Sequence, residues 1–110
     1  MYFELFDLSV EVVGDPASFV CKHQLGHNFL VLGEDIVFDG SIDRFSLYSL
    51  AALLPLLPAK QRITDRLDWM TSDDEIACPD PNCAARFKIR RLEKRSFSRP
   101  ETTVTDVPSL

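Results

Sequence analysis

The chain has 110 residues, of which 45% are apolar, which suits one domain with one modest core and not two. The first residues of the chain include acidic side chains and lack a basic segment before an apolar run, so we expect no secretion signal. Without such a signal, we expect three reduced cysteines and a cytoplasmic location. The longest apolar stretch, residues 50–57, is too short to span a bilayer, so no membrane association is expected.

The net charge of −5 is unevenly distributed along the chain. Residues 1–85 carry five basic and fourteen acidic side chains, a balance of −9, whereas residues 86–110 carry seven and three, a balance of +4. An acidic body argues against nucleic-acid binding, which needs a basic face. The basic segment is typical of a solvated strand edge protected by Lys and Arg.

The first third of the chain predicts strands. Phe6, Leu8, Val10 and Val12 alternate with polar residues, which is the period of a strand with one wet face, and residues 14–16 end it. Residues 29–32 and 36–38 predict two further strands that form a hairpin around a turn at residues 33–35.

The remainder predicts one or two short helices and a last strand. Ser41 or Asp43 is expected to cap an apolar helix over residues 45–54. Pro55 and Pro58 end this helix or restart it, and residues 60–68 predict one or two more helical turns. A polar loop follows at residues 71–74, then a rigid turn at 79–82 and an alternating strand at 85–90. The prediction is an α+β fold, a small antiparallel sheet packed on those helices, in a single domain over residues 1–95 with a disordered tail at 96–110.

The cysteines and histidines form two groups in the sequence. Cys21, His23 and His27 are close together, and Cys78 and Cys83 flank the Pro79-Asp80-Pro81 turn. Thiolates and imidazoles are the ligands of tetrahedral zinc, although this spacing is not a usual one. The alternative is that Cys21 and Cys78 are small buried apolar residues and that the histidines are surface or hydrogen-bonded groups.

Other side chains suit acid–base chemistry. His23, His27, Asp80, Asp43 and Tyr48 are the candidate catalytic residues, and Leu47, Arg86 and Arg90 are candidates for holding a substrate. Several of these residues have a structural alternative. Asp80 lies between two prolines, and such an aspartate commonly shapes a turn, whereas Asp43 precedes a helix and can cap it. The two arginines lie on a basic strand of a kind that is commonly solvated.

The segment Ile76-Ala77-Cys78-Pro79-Asp80-Pro81, followed by Phe87-Lys88-Ile89-Arg90-Arg91, resembles the C-terminal signature of an uncharacterised family of small prokaryotic proteins. That family reads Cys-Pro-Asp-Pro and then an alternating strand that ends in Ile-x-Arg. The resemblance covers roughly residues 3–92 and implies a single domain, without implying an activity. His27 stands where the family has Asp, and Ser46 stands where its helix begins with Cys.

The sequence contains neither a Gly-rich phosphate loop nor a Gly-x-Ser-x-Gly elbow, so an enzyme here would rely on acid–base groups and an apolar pocket, without a cofactor. We therefore expect a small tailoring enzyme, such as a cyclase, isomerase or dehydratase, that acts on a hydrophobic small molecule such as a polyketide. The alternatives are a non-catalytic interaction protein and a Cys/His zinc-binding module. The apolar helix predicts a homodimer.

Overall fold

A computed structural model describes residues 1–40 and 42–109, and its centre is a five-stranded antiparallel sheet. The strands follow the spatial order β3-β2-β1-β5-β4. Their bounds are β1 Tyr2–Val13, β2 Gly26–Leu32, β3 Asp35–Val37, β4 Glu75–Ala77 and β5 Arg86–Ser98. The helical segments are a 3-10 turn at Pro16–Ser18 and the short helices α1 Leu47–Leu53, α2 Leu57–Lys60, α3 Trp69–Ser72 and α4 Arg99–Thr102. The predicted α+β class is confirmed.

The long strand β1 lies in the middle of the sheet and pairs with β2 on one side and β5 on the other. The predicted hairpin of β2 and β3 is confirmed by the pairing of Leu30 with Val37 and Leu32 with Asp35. Gly33 occupies its two-residue turn with φ +63°, a conformation that glycine adopts without a Cβ penalty. Asp7 on β1 accepts a hydrogen bond from the Gly33 N–H at 3.1 Å, which fixes the hairpin against the central strand.

One face of the sheet forms the core, as the period-two pattern of β1 predicts. Leu8, Val10 and Val12 are at most 1% exposed. They pack with other buried residues of β2, β5 and the helices, which are at most 6% exposed: Phe29, Val31, Leu53, Leu57, Phe87 and Ile89. Because α1 and α2 contribute Leu53 and Leu57, the helical segment covers this face of the sheet.

The helical region differs from the prediction in two respects. Ser46 caps α1, since its Oγ accepts from the Ser49 N–H at 3.3 Å. The prediction of Asp43 as the cap is therefore wrong, and Ser41, the other predicted cap, lies outside the described residues. Residues 61–68 are not helical, and α3 instead starts at Trp69 and extends into the first two residues of the predicted polar loop at 71–74. The reason is local, because Asp68 accepts from the Met70 N–H at 2.9 Å and caps a new turn.

The buried Lys60 explains how α2 and α3 are held together. Its Nζ donates to the backbone carbonyls of Met70 and Asp73, and the side chain is 3% exposed. Burial lowers the pKa of Lys60, with the positive charge of Arg91 as a smaller cause. A buried ammonium group needs such acceptors, so Lys60 ties two short helices that have few apolar contacts of their own.

The basic segment lies on β5, and its charges are partly paired with β1. Arg95 donates to both carboxylate oxygens of Asp7 at 2.9–3.0 Å, and Arg90 donates to Glu11 at 2.9 Å. Residues 86–88 of β5 pair with β4 as well, so the start of the strand has partners on both sides. Two of the cations of β5 therefore meet acidic side chains of β1, whereas apolar side chains of the same strand lie in the core.

The last strand runs farther than the sequence indicated. Residues 96–98 continue β5 and pair with residues 2–4 of β1, and α4 follows directly. The predicted domain boundary at residue 95 therefore lies inside a strand. The expected disorder of the chain after this strand stays a prediction. Within the part of the chain that the structure describes, every helix is too short or too polar to cross a bilayer.

Candidate functional site

The candidate site lies where two loops meet at one end of the sheet. Because β1 and β5 are antiparallel, with Val13 opposite Arg86, the loop that leaves β1 and the loop that enters β5 are neighbours. The Ala84 N–H donates to the Ser18 carbonyl at 3.1 Å and joins the two loops directly. Gly14 makes this approach possible, since a Cβ built on it would lie 3.2 Å from the Ala84 carbonyl oxygen.

The loop before β5 is a turn closed by its own hydrogen bonds. The Cys83 N–H donates to the Asp80 carbonyl at 3.0 Å, and the Cys78 N–H donates to the Ala85 carbonyl at 3.1 Å. Asp80 Oδ1 accepts from the Asn82 N–H at 2.9 Å, which is the turn-shaping contact expected of an aspartate in this position. The turn brings Cys78 and Cys83 to the core with exposed fractions of 7% and 4%.

All three cysteines converge where these loops meet. A disulfide joins Cys21 to Cys83, whose Cα atoms are 6.3 Å apart, and the free thiol of Cys78 has its Sγ 3.9 Å from the Sγ of Cys21. The structure thus differs from the expectation of three reduced thiols. The physical reason is the pairing of β1 with β5, which places residues 62 apart in sequence at a separation typical of disulfides.

His23 completes this group, which we call the Cys/His cluster: Cys21, His23, Cys78 and Cys83. The ligand atoms of His23, Cys21 and Cys78 all lie within 4.8 Å of one another. The His23 ring is packed against Phe45 and Phe87 at centroid distances of 5.1 and 4.8 Å, and its Nε2 is hydrogen-bonded to Ser49 Oγ at 2.8 Å. Burial lowers the pKa of His23, so the ring is neutral near neutral pH.

Two adjoining cavities open beside the cluster. The larger, about 550 Å³, is lined by His23, Phe45 and Tyr48, with Lys22 and Arg44 among its polar residues. The smaller, about 330 Å³, is lined by Asp80, Cys78 and Ser49. Cys21, Ser46 and Tyr48 belong to both linings, so the structure brings His23, Asp80 and Tyr48, three of the predicted catalytic residues, to one region.

The structure places the other predicted residues elsewhere. His27 lies on β2, outside the Cys/His cluster, and its Nε2 is 3.0 Å from Asp39 Oδ1 on the surface. Asp43 is exposed and pairs with Arg44 at 3.7 Å. Leu47 is 75% exposed and lines neither cavity.

The two predicted substrate-binding arginines lie on β5 and do not line either cavity. Arg90 is paired with Glu11, and the guanidinium of Arg86 donates to the Ala85 carbonyl at 3.0 Å. Arg90 borders a separate depression together with Lys60 and Asp74. Neither arginine is therefore brought to the region that holds His23 and Asp80, and their predicted role stays a prediction.

Sequence reasoning missed the residues that hold His23 in place. Ser49 is 1% exposed and contacts the imidazole from within α1, and Phe45 and Phe87 enclose the ring. A signal for Ser49 did exist, since it is a polar residue on an otherwise apolar helix, and a buried hydroxyl needs a partner. The aromatic residues gave no such signal, because any core strand or helix carries them.

Comparison with known proteins gave no match for this chain among family models, curated proteins or solved structures.

Proposed function

We propose that this protein is a metal-binding module in which Cys21, His23, Cys78 and Cys83 hold a zinc ion when the sulfurs are reduced. The observation that supports this most strongly is the 3.9 Å separation of the Cys21 and Cys78 sulfurs. Two thiolates at about 2.3 Å from one tetrahedral zinc lie about 3.8 Å apart, so these sulfurs are already spaced as ligands.

The surroundings of His23 suit a ligand imidazole. Metal-bound histidines generally donate their other ring N–H to an oxygen acceptor, and Ser49 Oγ lies in that position relative to Nε2. In that tautomer Nδ1 carries the lone pair. The lowered pKa of His23 also favours the neutral, metal-binding form of the ring.

The donor set indicates both the metal and its role. Three soft sulfurs and one imidazole favour zinc over Mg²⁺ or Ca²⁺, which prefer oxygen. Cys21, His23 and Cys78 are already grouped, and Cys83, which is bonded to Cys21 in the structure, would supply a fourth ligand once reduced. Four protein ligands leave no open position, which is typical of a structural site. The ion would join the loop after β1 to the loop before β5, and a small domain with a modest core gains stability from such a link.

The test is the zinc content of the reduced, full-length chain after exposure to zinc and removal of the excess, measured by mass spectrometry of the metal. We expect one zinc ion per chain in the wild type, and loss of most of it in Cys78→Ser and in His23→Gln. His27→Gln is the matched control, since His27 is the other histidine and lies outside the cluster. A reduced wild type without zinc, or equal zinc content in Cys78→Ser, would contradict the proposal.

A second candidate function is acid–base catalysis on an apolar small molecule, as in a cyclase, isomerase or dehydratase. It is favoured by the two cavities, where a neutral His23 and the carboxylate of Asp80 border a cleft that also has the Tyr48 side chain. A neutral imidazole is a suitable base for a proton next to a carbonyl group.

This second function is tested by deuterium exchange at the α-carbon of an apolar ketone, α-tetralone, followed by NMR in heavy water. We expect the metal-free wild type to accelerate exchange over buffer, and His23→Gln to lower that acceleration by about a hundredfold. Circular dichroism of the variant checks that the fold persists. Equal exchange with and without the protein would reject acid–base chemistry on this class of substrate.

A further inference from the structure

Two members of the Cys/His cluster have two mutually exclusive chemical states. Cys21 and Cys83 are proposed zinc ligands as thiolates, yet in the structure they are joined by a disulfide. Their Cα separation of 6.3 Å falls within the range of native disulfides, so the fold accommodates the bond without moving the backbone. A sulfur in a disulfide is no longer a thiolate, and thiolates are the ligands that zinc requires.

We propose that the Cys/His cluster is a redox switch, in which a peroxide oxidises Cys21 and Cys83 to their disulfide and releases the metal. This inference rests on the proposed metal-binding function. Oxidation removes two of the four ligands and leaves only Cys78 and His23, too few to retain zinc against a competing chelator. Reduction by a dithiol restores the site.

Exposure identifies the sulfur that reacts first. Cys21 is partly exposed and belongs to the lining of both cavities, whereas Cys83 and Cys78 are 4% and 7% exposed. Cys78 borders the smaller cavity as well, but Cys21 is the most exposed of the three sulfur-bearing residues and the one that both cavities reach. Accessible thiolates are the ones that hydrogen peroxide oxidises.

The chemistry proceeds in two balanced steps with hydrogen peroxide as the oxidant. The Cys21 thiolate attacks one peroxide oxygen, an S–O bond forms, the O–O bond breaks, and the departing hydroxide takes a proton to become water. The Cys83 thiolate then attacks the sulfur of the Cys21 sulfenic acid, an S–S bond forms, the S–O bond breaks, and the departing hydroxide takes a second proton from solvent to become water. Two thiolates lose two electrons, and one peroxide is reduced to two waters.

Cys78 has a different place in this scheme. Its sulfur is near that of Cys21, but the structure leaves it as a free thiol and pairs Cys21 with Cys83. The proposal therefore specifies one disulfide out of the three that three cysteines can form. That makes the identity of the bond, and not only the loss of metal, a measurable consequence.

The experiment starts from the zinc-loaded, reduced full-length chain. Hydrogen peroxide is added, zinc release is followed with a chromogenic chelator, and the disulfide is identified by peptide mapping of the same samples. We expect zinc release to rise in step with the Cys21–Cys83 disulfide, and dithiothreitol to restore zinc binding. Cys21→His keeps a fourth ligand but removes the sulfur that reacts first, so it is expected to retain its zinc under the same peroxide.

The outcomes separate the two proposals. A reduced wild type that never binds zinc overturns the metal-binding function, and the switch with it, before peroxide is added. Zinc binding followed by release with a Cys21–Cys78 disulfide, or with over-oxidised single cysteines, overturns the switch alone. Formation of the Cys21–Cys83 disulfide while zinc stays bound also overturns it. If Cys21→His does not fold, peptide mapping of the wild type still shows which disulfide accompanies zinc release.

Discussion

His23 is the residue on which the metal and the acid–base proposals both depend. Its ring is half-buried between Phe45 and Phe87, and the hydroxyl of Ser49 is its polar partner. This environment opposes protonation, because a charged imidazole loses hydration there without meeting a carboxylate in the described contacts. Ser49 thus orients the ring, and the aromatic residues keep it neutral.

The lowered pKa of His23 predicts a pH dependence of the free energy of unfolding. The unfolded histidine titrates at its ordinary value of 6.5, and the folded one titrates lower, so the unfolded state binds the proton first as pH falls. The stabilising contribution is therefore fully present above pH 6.5 and is lost as pH falls through the folded pKa. Urea unfolding of the metal-free chain from about pH 8 to pH 5 measures it.

Two matched histidine variants show which residue causes this pH dependence of the free energy of unfolding. His23→Gln is expected to flatten the pH dependence in this window, whereas His27→Gln is expected to retain the loss of stability that His23 causes. Asp7 also has a lowered pKa, held down chiefly by its hydrogen bond from Arg95, but its contribution is lost only as pH falls below 3.8. An identical pH profile in wild type and His23→Gln would show that burial does not govern this histidine.

At the scale of elements, β5 is the strand that organises both the sheet and the site. Its first residues pair with β1 and β4 and bring the Cys78–Cys83 turn to the Cys21 loop, and its last residues reach the start of β1. The ring of Phe97 stacks on Phe3 at a centroid distance of 5.2 Å, and it would contact a Cβ at Gly33. The end of the strand therefore packs on the domain.

Two truncations test this extent of β5. Removal of residues 99–110 is expected to leave the melting temperature within about 3 °C, since a solvated tail buries little area. Removal of residues 96–110 also deletes the Phe97 contacts and three paired residues, and it is expected to lower the melting temperature by about 5 °C or more. Calorimetry measures the melting temperatures of the two truncated chains and of the full-length chain. Equal melting temperatures would place the domain boundary at residue 95, and a large loss in the shorter deletion would show that the tail packs on the core.

At the scale of the whole molecule, α1 is only half covered. Leu53 is fully buried, but Leu47 and Tyr48 are 75% and 80% exposed and Leu54 is 47% exposed. The homodimer expected from the sequence would bury these side chains, and it stays a prediction.

Light scattering of the wild type at micromolar concentration is expected to give about twice the monomer mass. Leu47→Glu is expected to reduce it to the monomer mass, because a buried carboxylate without a partner opposes association. Ile63→Glu is the matched control, as Ile63 is equally exposed but lies outside α1. A monomeric wild type at high concentration would exclude the dimer, as would dimers of equal strength in both variants.

The sequence by itself determined the α+β class, the alternating strands and the hairpin. Those features depend on contacts between near neighbours, such as the alternation along β1 and the glycine turn before β3, and local patterns record them directly. It also identified the Cys78–Cys83 turn, and it left Asp80 open between shaping that turn and catalysis; the hydrogen bond from the Asn82 N–H is the turn-shaping contact. The start of α1 was harder to predict from the sequence, because several residues before the helix can cap it. The path of the folded chain selects Ser46 among them.

Only the tertiary structure decided which of the candidate residues meet. Cys21 and Cys83 are 62 positions apart, and what unites them is the register of β1 against β5, with Val13 opposite Arg86. The pairing of β2 with β1, which sets His27 opposite Glu11, separates His27 from the cluster, although it is only four residues from His23 in sequence. A strand pairing has no local signature in the chain, because its energy comes from hydrogen bonds and side-chain contacts that exist only once both strands are in place.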